Sequence, residues 1–132
     1  MLNPSTADAA RDDPTIRRCI AFAAREGHGG VEILNLFAFR ATAPADLKVA
    51  ADPIGPDNDR HLDALFARHH RIVAAWGAHG GFGGRAETVL RMMERRGVSL
   101  ACLGYTAGGH LRHPLYVRAD RALLPFAARP DL

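Results

Sequence analysis

At 132 residues the chain can bury one core and is too short for two domains, so it reads as a single domain over 1–132. It is 48% hydrophobic and 23% charged, an ordinary globular balance, and no apolar run is long enough to span a membrane. A net charge of +3, with seven histidines besides, permits an anionic partner without requiring one. The opening residues lack the basic-then-apolar layout of a secretory signal, so a cytoplasmic location without a membrane partner is expected. Cys19 and Cys102 sit among apolar neighbours and read as buried free thiols. There is no Cys-x-x-Cys and no His-Glu-x-x-His, and no metal ligand set or cofactor is read from the sequence.

The chain opens on an apolar stub, Met1-Leu2, that runs into the turn residues Asn3-Pro4-Ser5-Thr6. This looks like the end of a buried strand passing into a polar loop, with no strand before it. Asp13 can cap a helix with Pro14 in its first turn, and Ile16, Cys19, Ile20 and Ala23 recur at helical spacing until Gly27–Gly30 ends it. Val31–Phe39, "VEILNLFAF", is rich in strand formers. Arg40–Asp59 is a long connection with one helical turn near Ala45–Val49, and such loops are often functional. A second helix is predicted over Asp59–His69, then a buried strand at Arg71–Trp76. "GAHGGFGG" reads as a mobile loop. A third helix follows over Arg85–Arg96, capped by Gly97, with a last strand at Val98–Gly104.

Strands alternating with helices imply an α/β fold, a three-layer α/β/α sandwich with a mostly parallel central sheet. Such sheets bind ligands beyond the carboxyl ends of their strands. Four polar sets fall on that edge: Asn3, Pro4, Ser5, Thr6 and Asp8; Asn35, Arg40 and Thr42; Trp76, Gly77 and His79; and Tyr105, Thr106, His110, Arg112 and His113.

Each has a plain structural alternative. Asn3-Pro4-Ser5-Thr6 makes an ordinary turn, but at a strand end its amide can hold a water or read a base edge. Asn35, amid "EILNLFAF", either satisfies a neighbouring loop or faces a ligand. Capping accounts for Asp12 and Asp13 and leaves Asp8 as the acid-base candidate. Arg40 and Arg112 are suited to an anionic group. Trp76 can stack on a base, although core packing is the default for it. His113, followed by Pro114 and close in sequence to Tyr105 and Thr106, is placed to stabilise developing negative charge.

The motifs "MLNPSTADA", "DDPTIRRCIAFA", "NLFAFRAT", "DPIGPDND", "AAWGAHG" and "LGYTAGGHLRHPLY" closely resemble the domain-of-unknown-function 1643 family over nearly the whole chain, from Met1 to about Tyr116. The motif order is also similar, more distantly, to the uracil-DNA glycosylase superfamily. That resemblance implies a glycosylase-like fold, while the resemblance to the domain-of-unknown-function 1643 family, whose members usually have more chain before this motif, implies that the first strand is truncated here and that Met1 is an internal methionine of a longer frame. The superfamily resemblance implies that Asn3 or Asp8 positions a water, Asn35 reads a base, and His113 steadies the departing base anion. The late motif reads His113-Pro114-Leu115 where the superfamily has His-Pro-Ser or Asn-Pro-Ser. The expected function is a glycosylase-like hydrolase of a base in DNA or of a nucleotide. The alternatives are a non-catalytic binder of nucleic acid or nucleotide, and a hydrolase of a small anionic metabolite using Arg40 and Arg112.

Overall fold

The computed structural model describes residues 1–4, 13–69 and 71–126. Among these are four α-helices, α1 (Pro14–Arg25), α2 (Pro44–Val49), α3 (Asn58–Arg68) and α4 (Arg85–Arg96), and three short strands, β1 (Arg71–Ala74), β2 (Ser99–Cys102) and β3 (Leu124–Pro125). None of these helices is long and apolar enough to cross a membrane.

Local sequence chemistry accounts for the helix ends. The Asp13 carboxylate accepts from the amides of Thr15 (2.8 Å) and Ile16 (3.4 Å), and Pro14 occupies the first turn of α1, where no amide is needed. Gly97 ends α4 in the left-handed region (φ 65°), and its amide bonds back to Glu94 and Met93. The helical turn expected near Ala45–Val49 is α2, which begins one residue after Ala43, at Pro44.

The fold is mixed α/β, but the sheet is not the mostly parallel one expected. β1 and β2 pair in parallel, with Arg71 opposite Ser99 and Ala74 opposite Cys102. β3 then pairs antiparallel to β2, Cys102 against Leu124, in the order β1-β2-β3. The tail supplies this strand, and nothing in its two-residue pattern stands out in sequence. Pro125, which lacks an amide to donate, sits where the sheet ends.

The strand expected over Val31–Phe39 is also corrected. The segment is extended but forms no regular strand, because each part of it has a different partner. Leu36 and Phe37 donate to the carbonyls of Met1 and Leu2 (2.9 Å each), whereas Ala38 and Phe39 donate to Ile54 and Pro53 (3.0 and 3.1 Å). The Met1 ammonium donates to Leu34 O (3.0 Å). Together with the Leu36–Met1 bond this is the hydrogen-bond pattern of parallel pairing, with Met1 opposite Asn35.

The main core gathers Leu2, Leu36, Phe37, Leu47, Leu62, Phe66, Val89, Met93 and Cys102, each at most 9% exposed. A smaller cluster joins Phe22, Ala75, Leu103 and Val117, with Met1 against it. Cys102 is a buried free thiol, as the sequence suggests, and Cys19 is a half-buried one. "GAHGGFGG", expected to be a mobile loop, forms tight 3-10 turns within Ala78–Gly84 that are broken by a kink at Phe82 and Gly83. Gly80 lies so close to Trp76 that a Cβ there would fall 2.0 Å from the indole, and the Phe82 ring tilts against Phe37.

Candidate functional site

His113 is the best-prepared group at the carboxyl edge of the sheet. It precedes a single 3-10 turn, Pro114–Tyr116, that packs on α1. Its Nδ1 accepts from the Leu115 amide at 3.2 Å, so in the neutral ring the proton is on Nε2. The ring is half-buried and lies against Gly77, just past β1; a Cβ on Gly77 would stand 3.4 Å from the His113 Cβ. Gly77 also has a φ of +82°, so two constraints favour glycine beside the histidine. The Tyr116 ring lies 5.5 Å away, centroid to centroid, at 46°.

Burial pushes the His113 pKa down, and repulsion from the Met1 ammonium adds to this; Asp13 opposes both. The ring is therefore held neutral, with Nε2–H as a donor. The same surroundings raise the Cys19 thiol, chiefly by desolvation, with the Met1 ammonium acting against that and Asp13 reinforcing it. Met1, Asp13, Cys19 and His113 thus form one electrostatic neighbourhood.

The other predicted residues divide into groups. Asn3 is a clamp: its amide nitrogen donates to Phe39 O (3.0 Å), Ala41 O (3.1 Å) and Pro4 O (3.3 Å). Pro4 O accepts from the Ala41 amide (3.1 Å), so Asn3, Pro4 and the stretch around Arg40 are brought together. Ser5, Thr6 and Asp8 lie outside the described residues. Asn35 is half-buried and lines a groove shared with Trp76 and Pro114; its backbone carbonyl accepts from Asn58. Trp76 is only 6% exposed and packed under Gly80, which makes it a core residue rather than an open stacking surface.

Tyr105 and Thr106 sit on a small hairpin closed by the Tyr105–Leu111 bridge. The Thr106 hydroxyl accepts from the His110 amide (3.2 Å), a turn-closing role. Arg112 donates its amide to Gly104 O, and among the described residues its buried Nε has no hydrogen-bond partner. Among the described residues no three His, Cys, Asp or Glu side chains are grouped to hold a metal ion.

Sequence reasoning missed the residues that hold the site's framework. Arg85 is a cation only 3% exposed. Its Nε donates to Leu36 O at 2.7 Å and its terminal nitrogen pairs with Asp59. Asn58 donates to both Asn35 O and Leu36 O at 3.0 Å. The long Arg40–Asp59 connection therefore has a structural role. Asp52 accepts from the Gly55 amide (3.1 Å), Gly55 turns at φ +89°, and Asn58 and Asp59 follow as clamp and counter-ion. The "DPIGPDND" run carried that signal in its turn chemistry. Arg85 carried none, since it looked like the first residue of an amphipathic helix.

The model of the family described as Protein of unknown function (DUF1643) matches residues 1–115, and the chain belongs to that family. No curated protein and no solved structure matches it.

Proposed function

We propose that the protein is a glycosylase-like hydrolase acting on a base in DNA or on a nucleotide, in a fold of the uracil-DNA glycosylase type. The observation that carries this is His113, a neutral imidazole held by burial with its proton on Nε2 and its Nδ1 fixed by Leu115. Such a group donates a hydrogen bond to developing negative charge without a proton transfer of its own. In N-glycosidic hydrolysis water attacks C1′, the C1′–N bond breaks, and its electron pair departs with the base. His113 Nε2–H steadies that anion, while Asn35 offers a planar donor-acceptor amide to the base edge. On the water side Asp8 accepts the proton. Asn3 has its nitrogen committed to backbone and contributes its Oδ1 as acceptor.

The test is base release from a panel of uracil-bearing, modified and damaged DNAs and free nucleotides. Replacing His113 by Ala is expected to lower turnover by about 10²- to 10³-fold, as loss of one such donor does. Absence of release by the unaltered chain across the panel overturns the reading.

The clamp made by Asn3 favours a second reading, a non-catalytic binder of nucleic acid or nucleotide. Binding that survives Asp8→Ala and His113→Ala, with no product, selects it. A steep salt dependence then points to several phosphate contacts.

A further inference from the structure

Past β2 the chain folds a second cavity against the turn that follows His113. It spans about 590 Å³, and Arg112, Tyr116, Arg118, Asp120 and Arg121 stand in its wall. Tyr116 joins the cavity to the histidine: it is 77% exposed, and its ring lies 5.5 Å from the His113 ring, centroid to centroid. The carboxyl end of β2 anchors two of the arginines. Arg112 donates its amide to Gly104 O and Arg121 donates its Nε to Leu103 O, both at 3.0 Å. The Arg121 guanidinium lies so close over Gly104 that a Cβ would collide with it, and Gly104 also has a φ of +98°.

The three guanidiniums differ in how they are matched. Arg118 is paired with Asp120 at 3.1 Å, so the one carboxylate in the wall is already taken. Among the described residues no carboxylate pairs with Arg112 or Arg121. The Arg112 side chain is half-buried, and its enclosed Nε has no acceptor among those residues. An enclosed N–H without an acceptor costs stability, and more so when the group is charged. An arginine needed only for its stem extends its head into water instead. The cavity therefore carries an excess of positive charge, two cations fixed at a strand end with no counter-charge of their own.

We propose that this cavity is a phosphate site, in which the terminal nitrogens of Arg112 and Arg121 hold the phosphate of a nucleotide unit whose base is handled at His113. Guanidinium edges match phosphate oxygens two at a time, which gives geometry as well as attraction. The carboxyl end of a strand is also where α/β sheets present ligands. The ligand is a phosphate monoester or diester. Its link to a base rests on the nucleotide reading above, whereas capture of phosphate does not.

The test begins with inorganic phosphate, titrated into isotope-labelled chain at an ionic strength held constant with sodium chloride, and read from the arginine Nε–H resonances. The Arg112 and Arg121 signals are expected to shift and saturate. Arg112→Gln and Arg121→Gln are each expected to weaken phosphate binding at least about tenfold. Arg118→Gln removes a cation already matched by Asp120 and is expected to weaken it less than about twofold. Thymidine 5′-monophosphate and a thymidine dinucleotide without terminal phosphates then separate a monoester from a backbone diester, with thymidine as the phosphate-free reference. Tighter binding than thymidine by either, lost in Arg112→Gln, supports the site and names its source. No saturable shift in the unaltered chain, an equal loss with Arg118→Gln, or thymidine binding as tightly as both phosphates overturns it. The shift is read on the unaltered chain, so it decides even where a variant fails to fold. Phosphate capture without base release overturns the hydrolase reading alone, and base release without a phosphate shift overturns this site alone.

Discussion

The two halves of the stretch from Val31 to Ala41 have similar composition but are held very differently. From Leu36 onward the backbone is secured from several directions, by Met1 and Leu2, by Ile54 and Pro53, and by the side chains of Asn3, Asn58 and Arg85. From Val31 to Asn35 it runs beside an open groove, with Leu34 O bonded to Met1 and Asn35 O to Asn58. Strand-forming residues alone do not make a strand. Both halves have the propensity, and what distinguishes them is whether partners stand within reach.

The comparison can be broken most severely at Arg85. Replacing it by Ala removes a charged hydrogen bond to Leu36 O, the partner of Asp59 and the packing of a buried stem. A loss of about 3 kcal/mol is expected in urea denaturation. Asn58→Ala frees two carbonyls that otherwise accept from one amide, and about 2 kcal/mol is expected on the same measurement. The exposed pair Arg96–Asp63 joins the same two helices, and Asp63→Ala is the control, with the midpoint expected to stay put.

The open half is sharpened by pH, with a smaller effect. The Met1 ammonium has its pKa lowered from 8.0 to about 6 by burial. Between these values the unfolded chain binds more protons than the folded one, so stability rises from pH 6 to pH 8 and falls as the pH is lowered through that window. His113, lowered from 6.5 by burial, acts in the same direction below its ordinary value. Because Met1 is itself half-buried, about 1 kcal/mol is expected between pH 8 and pH 6. Acetylating the amine is expected to flatten the upper part of this profile. A flat profile for the unmodified chain would show that water reaches the amine freely.

Much of the local structure was legible in the residues. The Asp13 cap, the Arg85–Arg96 helix, the turn ending at Val49 and the strands at Arg71–Ala74 and Ser99–Cys102 follow from capping chemistry and apolar periodicity, which act over a few residues. His113 was also singled out from sequence, by its place after the last clear strand. The roles of Asn3, Trp76 and Thr106 were not legible, because whether a polar or aromatic side chain faces a ligand, a carbonyl or the core depends on what the chain brings next to it.

The sequence by itself determined the family, the helix boundaries and the class of fold, since those depend on residue order and local propensity. Only the tertiary structure decided the rest. It turned Leu124–Pro125 back against Cys102 to make a mixed sheet, buried Arg85 over Leu36 O, and laid Met1 opposite Asn35 at the end of an apolar groove. Each is a contact between residues more than twenty positions apart, and no local pattern encodes the partner at the other end.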